Sequence, residues 1–233
     1  MGKIPPPPAS GLCSRMVDEQ IASRGIDDAA LLAAMRAVPR EAFVPEDERE
    51  FAYEDAPLPI GVGQTISQPY IVALMLEAAQ IGANDRVLEI GAGSGYATAV
   101  ASLLAARVYA IERHRSLAGA ALERLRALGY AENVELRCGD GSGGWPEAAP
   151  FDAIIVSAGA PGVPAALRDQ LGPGGRLVLP VGPEERSQRL VKVTRRSATR
   201  FDEETLCDVR FVPLIGEHAW PEFPVRPKGG PKS

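Results

Sequence analysis

The sequence is poor in the residues that build metal centres and disulfide frameworks. It holds three cysteines and two histidines in 233 residues. The cysteines, Cys13, Cys138 and Cys207, are widely scattered and show neither metal-ligand spacing nor a disulfide framework. No apolar run is long enough to span a bilayer, and the N-terminus lacks the apolar core of a signal peptide. These absences predict a cytoplasmic protein with no metal ion and no membrane partner.

Positive charge is not in excess either. With 25 Lys and Arg against 30 Asp and Glu, the formal net charge is −5 at pH 7. We therefore expect no nucleic acid partner, since such a partner would favour a basic surface. A serine-hydrolase triad is also unsupported, because neither histidine is suitably spaced and no serine stands in Gly-x-Ser-x-Gly. The apolar content of 45% and the chain length suit one globular enzyme domain with a buried core.

The most informative stretch is Arg86–Tyr96, where a short apolar strand leads into a glycine-rich turn. The glycines Gly91, Gly93 and Gly95 carry no Cβ, so the turn can be tight and a ligand can lie on its backbone amides. An apolar helix, predicted at Ala97–Ala105, follows at once and directs its unpaired N–H groups towards the turn. The arrangement indicates a nucleotide-like cofactor.

Residues around the turn exclude two common phosphate-binding motifs. A P-loop needs Gly-Lys-Ser/Thr at its end, and no lysine lies near this turn. The dinucleotide fingerprint needs a third glycine five residues after the first, where this chain has Tyr96. The order Glu-x-Gly-x-Gly-x-Gly instead resembles the first motif of Rossmann-like S-adenosylmethionine (AdoMet) methyltransferases. The resemblance implies that Glu89 faces the ammonium side of AdoMet. It also implies that four turn residues lie against the methionine part: Gly91, Gly93, Ser94 and Gly95.

Two later strand ends carry further candidate cofactor residues. Glu112 ends a strand predicted at Val108–Ile111, about twenty residues past the first glycine, where an acidic side chain suits two ribose hydroxyls. NAD-binding folds place an acidic residue at the same position. Glu112 therefore predicts a cofactor that contains a ribose, but it does not distinguish a methyltransferase from an NAD-binding enzyme. A strand predicted at Val134–Cys138 ends in Gly-Asp-Gly, and Asp140 with Gly141 would meet the adenine in a methyltransferase. The alternative is that these are only turn residues.

The remaining pattern alternates strands and helices. Helices are predicted at Leu12–Ser23, Asp28–Val38, about Ser67–Gln80, from Ser116 to a stop at Gly129, and at Pro164–Leu171. Further strands are predicted at Phe151–Val156, Gly175–Val181, near Leu190–Thr194 and at Leu206–Pro213, with a loop-rich stretch at Val38–Gly63. This order predicts an α/β, Rossmann-like fold with a doubly wound, mostly parallel sheet, antiparallel C-terminal strands and an N-terminal helical extension.

Composition predicts one domain with a short segment at each end. Residues 11–220 form the domain, in which 11–80 supply the N-terminal helical and substrate-binding part and 81–220 the AdoMet-binding core. Residues 1–10, with a run of four prolines, are expected to be a disordered lead. Residues 221–233, rich in Pro, Gly and Lys, are expected to be a flexible tail.

The segment before the glycine turn indicates the methyl acceptor. Residues 57–70 read Pro-Leu-Pro-Ile-Gly-Val-Gly-Gln-Thr-Ile-Ser-Gln-Pro-Tyr, which closely resembles the signature of protein-L-isoaspartate (D-aspartate) O-methyltransferases. Further blocks resemble that family at 38–45, 52–55, 139–141, 174–182 and 211–214, so the likeness runs from Leu12 to Trp220. Ile215 departs from the family pattern, and no cofactor contact is assigned to the C-terminal loop.

The resemblance implies a repair enzyme. It would transfer a methyl group from AdoMet, leaving S-adenosyl-L-homocysteine, to L-isoaspartyl and D-aspartyl residues of damaged proteins and peptides. It would act as a monomer.

The expected chemistry needs positioning more than acid–base catalysis. A carboxyl group has a pKa of about 4 and is already ionised at neutral pH, so the substrate carboxylate needs no strong base. The hydroxyls of Thr65 and Ser67, with a backbone N–H near Ile66, are candidates to hold it. In the family the serine of the Thr-x-Ser block is the active-site residue, which falls on Ser67. The alternative is that Ser67 only caps the following helix.

Two other functions remain open. One is a paralogue that methylates a normal aspartate in a dedicated peptide. Such an enzyme would carry an extra substrate-reading domain, for which the stretch after Trp220 leaves no room. The other is a non-catalytic AdoMet-binding module, which would have no need to retain Thr65 and Ser67.

Overall fold

The computed structural model describes residues 11–184 and 187–222, so the expected lead at 1–10 and all but the first two residues of the expected tail lie outside the described residues. The α-helices are α1 (Gly11–Met16), α2 (Ala29–Ala37), α3 (Pro69–Ala79), α4 (Tyr96–Leu104), α5 (Arg115–Ala127) and α6 (Ala165–Asp169). The strands are β1 (Leu58–Gly61), β2 (Gln64–Ile66), β3 (Arg86–Ile90), β4 (Arg107–Glu112), β5 (Val134–Cys138), β6 (Phe151–Val156), β7 (Leu171–Glu184), β8 (Ser187–Arg195) and β9 (Phe201–Val209).

The seven strands β3–β9 form one sheet in the order β5-β4-β3-β6-β7-β8-β9. The five strands from β5 to β7 are parallel, whereas β8 pairs antiparallel with β7, and β9 pairs antiparallel with β8 at the edge of the sheet. The chain enters at β3, runs outward to β5, and returns to β6 on the other side of β3. Ligands bind in such sheets at the carboxyl ends of the strands, beside this reversal. The predicted doubly wound sheet with antiparallel C-terminal strands is confirmed.

The central strands are apolar on both faces because helices or loops cover each face. In β3, Val87 packs into a core formed with the N-terminal helices, α3 and α4, while Leu88 and Ile90 pack into a second core on the opposite face. All three side chains are at most 1% exposed. Burial on both faces explains the near-continuous apolar runs of the parallel strands.

The N-terminal extension is helical, as predicted. Helix α1 continues through a π-helical stretch, Val17–Ile21, and a 3₁₀ turn, Ala22–Arg24, which together match the single helix expected there. Asp28 is the N-cap of α2, where its carboxylate accepts a hydrogen bond from the N–H of Leu31 at 2.9 Å. This contact satisfies one of the unpaired donors of the first turn.

Three predicted boundaries are wrong. The stretch Val38–Gly63, predicted to be rich in loops, leads into a β-hairpin, β1–β2, whose turn places Val62 and Gly63 at φ of 46° and 73°. Two positive φ values suit a tight hairpin turn, but valine gives no signal for one. Strand β7 begins at Leu171 and not at the predicted Gly175, and its first residues pair irregularly with β6. The last strand is Phe201–Val209 and not Leu206–Pro213, because it is residues 201–209 that pair with β8.

Candidate active site

A cavity opens at the carboxyl ends of β3, β4 and β6. Its wall combines the glycine turn, the strand-end residues Glu89 and Glu112, the segment 64–67 and the C-terminal segment 212–215. Most of the predicted site residues line it together: Thr65, Ile66, Ser67, Glu89, Gly91, Gly93, Ser94, Glu112 and Gly141. Gly95 and Asp140 do not line it.

The glycine turn owes its shape to left-handed backbone geometry. Gly93 has φ of 53°, and a Cβ there would lie 3.1 Å from the Cδ1 of Ile60, so the hairpin packs directly on the turn. Gly95 has φ of 89° and is the N-cap of α4. A Cβ on Gly95 would lie 3.3 Å from the Cβ of Ala121 in α5. Gly93 therefore shapes the cavity, whereas Gly95 lets two helices approach each other.

Glu89 is a buried carboxyl group in the cavity wall. It is 2% exposed, and the hydroxyl of Thr98 donates a hydrogen bond to its Oε2. Burial raises the pKa of Glu89 to about 8; the charge of Glu112 adds to this rise, and the Thr98 hydrogen bond opposes it. A buried carboxyl with no cation beside it in the described residues fits a ligand that brings a positive charge, as the ammonium group of AdoMet does.

Glu112 is held in place by two backbone amides. The N–H of Gly93 donates to its Oε2 and the N–H of His114 to its Oε1, both at 2.8 Å. The side chain is 5% exposed and lines the cavity. Each carboxylate oxygen accepts more than one hydrogen bond, so capacity remains for two ligand hydroxyls. The geometry is that expected of a ribose-binding acid.

Asp140 lies behind the cavity wall. Its carboxylate accepts hydrogen bonds from the N–H of Ser142 at 2.8 Å and of Glu217 at 2.9 Å. Burial favours a higher pKa for this carboxyl, but the donors from Glu217 and Ser142 outweigh it and hold the pKa below its usual value. Asp140 thereby fastens the C-terminal segment to the end of β5, while its neighbours Gly139 and Gly141 face the cavity.

The C-terminal segment supplies wall residues that sequence reasoning did not assign. Gly159, after β6, donates to Val212 O and accepts from Leu214 N, both at 2.8 Å. Residues 212–215 line the cavity as a result. The sequence block 211–214 resembles the family, but because Ile215 departs from the family pattern the sequence does not predict that these residues line the cavity.

The acceptor segment, residues 65–67, forms a wall between two cavities. Thr65 and Ser67 line the cavity described above and also a second one, whose other wall residues include Ser157 and Val212. Gln68, not Ser67, is the N-cap of α3, and no side chain caps that helix. The alternative in which Ser67 merely caps the helix is therefore wrong. Its half-buried side chain stands at the junction of the two cavities.

No group of three or more His, Cys, Asp and Glu side chains is placed to hold a metal ion in residues 11–184 and 187–222. None of the helices described there combines the length and the apolar character needed to cross a bilayer.

Comparison with known proteins identifies a family. The family model for protein-L-isoaspartate(D-aspartate) O-methyltransferase matches residues 13–219. The chain is 57% identical to protein-L-isoaspartate O-methyltransferase 1 of Rhodopseudomonas palustris (strain HaA2) over 214 residues, covering 92% of this chain and 87% of that one. It is 59% identical to the protein-L-isoaspartate O-methyltransferase of Methylorubrum populi over 202 residues, which cover 87% and 94%. The crystal structure of a Plasmodium falciparum protein, described as a putative protein-L-isoaspartate O-methyltransferase in complex with S-adenosyl-L-homocysteine, superposes with a TM-score of 0.76 at 27% identity, covering 87% and 98%.

Proposed function

The chain belongs to the protein-L-isoaspartate(D-aspartate) O-methyltransferase family, as its sequence signature predicted, and we propose that it methylates the free α-carboxylate of L-isoaspartyl residues in damaged proteins and peptides. One observation carries the proposal: Thr65 and Ser67 line two adjoining cavities at once. The first has the acids and the glycine turn expected of an AdoMet site. The second is open to a peptide, so an acceptor there meets the donor at the shared wall.

The first cavity suits AdoMet by charge and by shape. AdoMet, when bound, supplies a methyl group on a positively charged sulfur and leaves as S-adenosyl-L-homocysteine. Glu89 would pair with its ammonium group and Glu112 with its ribose hydroxyls, while Gly93 and Ser94 of the turn contact the methionine part. Gly141 would face the adenine. We propose that Asp140 serves the adenine end from behind, by holding the Glu217 segment against the cavity.

The acceptor segment would hold the substrate anion. A substrate carboxyl has a pKa of about 4 and is ionised at neutral pH, so no side chain has to remove a proton. The hydroxyls of Thr65 and Ser67 donate hydrogen bonds to that carboxylate, with the backbone at Ile66 beside them, and orient one oxygen towards the methyl group. Positioning of this kind accounts for large rate factors without a catalytic base. The amide nitrogen of the following residue can then attack the carbonyl of the methyl ester and expel methanol, which closes the chain to a succinimide. Water reopens the succinimide in part as normal aspartate.

The cellular setting belongs to the same proposal. All three cysteines of the chain are described and free, as expected in a reducing compartment, and we place the protein in the cytoplasm. We further propose a monomer that uses no nucleic acid. Among the described residues the large apolar side chains that are exposed are Leu12, Phe51 and Val62, whereas a stable interface needs a larger contiguous patch.

The test offers two matched peptides, one with isoaspartate and one with aspartate at the same site, together with labelled AdoMet. We expect label on the isoaspartyl peptide alone. Label on the aspartyl peptide would point to the dedicated-peptide paralogue instead. Binding of the cofactor without transfer to either peptide would favour the non-catalytic module.

A variant pair tests the role of Ser67. Ser67→Ala removes one donor to the reacting carboxylate, and we expect transfer to slow by about ten- to a hundredfold. S-adenosyl-L-homocysteine should bind as before. Ser102→Ala is the control, because the Ser102 hydroxyl is buried in α4 and donates to Ala99 O, and lines neither cavity. Full activity in Ser67→Ala would remove the role.

A further inference from the structure

Arg40 is a fully buried arginine that joins the acceptor segment to the helix after the glycine turn. Its side chain is 0% exposed. The Nε–H donates to Ala52 O at 2.8 Å, and Nη2–H donates to Ser67 O at 2.7 Å. Its guanidinium carbon lies 5.0 Å from the centre of the Tyr96 ring. Tyr96 is the first residue of α4 and lines the cofactor cavity. One side chain thus contacts both halves of the site.

In the described part of the chain, the positive charge of Arg40 is buried against two carbonyl oxygens and an aromatic ring, and not against a carboxylate hydrogen-bonded to it. Burial lowers the pKa of Arg40 to about 10, so the guanidinium stays protonated at neutral pH. Within the described residues its hydrogen bonds run to two carbonyl oxygens, and an aromatic face supplies the third contact. Burying a cation with no carboxylate bonded to it is costly, and apolar side chains of similar volume often stabilise a core as well. Stability alone is a weak reason for an arginine at this place.

The bond to Ser67 O fixes a peptide plane at the acceptor site. Because the peptide unit is planar, holding the carbonyl of Ser67 also sets the direction of the Gln68 N–H and the exit of the chain into α3. Gln68 is held in turn, since its side chain donates to the Asp55 carboxylate at 2.7 Å, and Arg24 donates to the same oxygen at 2.7 Å. The acceptor segment is therefore held by Arg40 and, through Gln68, by Asp55; Arg40 and Asp55 line neither cavity, whereas Gln68 lines the second.

We propose that Arg40 is a positioning residue for methyl transfer, which sets the Ser67 hydroxyl in register with the cofactor cavity through Ser67 O and the Tyr96 ring. The proposal rests on the function proposed above. Arg40 does not line either cavity, so it acts through Ser67 and not on the substrate. Since a shift of about 1 Å in a reacting group costs about a hundredfold in rate, this tether matters for turnover beyond its effect on stability.

The test is a double-mutant cycle between Arg40→Lys and Ser67→Ala. Lysine keeps the charge but loses the planar fork that reaches both carbonyls. We expect Arg40→Lys to lower kcat on the isoaspartyl peptide by about ten- to a hundredfold. In the Ser67→Ala background the same change should cost less than about threefold, because the hydroxyl it positions is gone. Binding of S-adenosyl-L-homocysteine, measured by calorimetry, should stay within about threefold of wild type.

Arg176→Lys is the matched control. Arg176 also donates to two backbone carbonyls, Ala79 O at 2.7 Å and Gln80 O, but these lie at the opposite end of α3. Its replacement should lower the melting temperature while kcat per binding site stays unchanged. Activities are divided by the number of S-adenosyl-L-homocysteine sites titrated, so that partly unfolded protein does not enter the comparison.

Each outcome decides the question. Equal kcat in Arg40→Lys, or costs that simply add with Ser67→Ala, would overturn the positioning role. Loss of all ligand binding in both Arg40→Lys and Arg40→Gln would do the same, because the residue would then serve the fold alone. Wild-type protein that transfers no methyl to the isoaspartyl peptide refutes the proposed function, and the role of Arg40 with it. An active wild type with an equally active Arg40→Lys refutes the role of Arg40 only.

Discussion

Binding of the cofactor should release a proton from Glu89. Burial raises the pKa of this carboxyl to about 8 in the protein without ligand, so about nine-tenths of the molecules carry the proton at pH 7. A ligand ammonium group in the cavity favours the ionised carboxylate. Binding at pH 7 should therefore release about 0.9 proton, and ionising Glu89 costs about 1.4 kcal/mol of the binding free energy at that pH.

The same pKa predicts the slope of affinity with pH. The ratio of protonated to ionised Glu89 is about 100 at pH 6 and about 10 at pH 7, and the ligand must displace that proton. The dissociation constant should fall about ninefold between pH 6 and pH 7. This range also keeps the ligand's α-amino group, whose pKa is about 8, mostly protonated.

Calorimetry with S-adenosyl-L-homocysteine measures both quantities. The observed enthalpies in phosphate and in Tris differ by the number of protons released multiplied by the difference between the two buffers' heats of protonation. Glu89→Gln should abolish the difference and flatten the pH dependence. Glu112→Gln should weaken binding yet keep most of the proton release. A wild-type enthalpy that is the same in both buffers, or a proton release that persists in Glu89→Gln, would refute the reasoning.

Glu89 also links stability to pH in the absence of ligand. Its pKa in the folded protein lies above the unfolded value of about 4.5, so the protonated form is favoured by folding. This contribution is fully present below pH 4.5 and is lost as the pH rises towards 8. Between pH 5 and pH 7.5 the Glu89→Gln variant should therefore lose less stability than wild type in parallel denaturant titrations.

The other predictions concern packing and thiol reactivity. Gly141→Ala places a Cβ 2.5 Å from the Cγ2 of Ile90, and the resulting overpacking should cost about 1–3 kcal/mol in urea unfolding. Gly139→Ala meets nothing within 4 Å, so equal losses in the two variants would contradict the packing argument. Burial raises the pKa of the Cys13 thiol to about 11, whereas Cys138 is exposed. Iodoacetamide at pH 8 should modify Cys138 in native protein and reach Cys13 only after unfolding, as peptide mapping would show.

Local chemistry made much of the fold predictable. Strands Val134–Cys138 and Phe151–Val156 have the bounds that the sequence predicted, and the glycine turn with its flanking strand and helix agrees within a residue. Each of these predictions depends on only a few residues adjacent in the sequence, such as an apolar run, a glycine or the start of a helix. The C-terminal strand Phe201–Val209 carries no such signal, because its acidic residues become a strand only through pairing with β8.

The site was less predictable wherever a contact spans the chain. The acids expected to hold the cofactor could be named because Glu89 and Glu112 lie at or next to the ends of strands. The place of Asp140 depends on Glu217, which is 77 residues away in sequence, and no pattern near Asp140 reveals it. Arg40 is similar, since an arginine beside a proline ordinarily indicates a surface loop. Arg40 is buried only because Ala52, Ser67 and Tyr96 pack around it, and these contacts join residues that are distant in the sequence.

The fastening of the C-terminal segment by Asp140 has a consequence for the order in which the site is made during translation. The glycine turn and both strand-end acids have left the ribosome when residues 212–217 are still unmade. Until Glu217 reaches the Asp140 carboxylate and Leu214 reaches Gly159, the cavity lacks one wall. A nascent chain can therefore form its parallel strands before the cofactor site is complete, and the site gains its last wall only after residues 212–217 have been made.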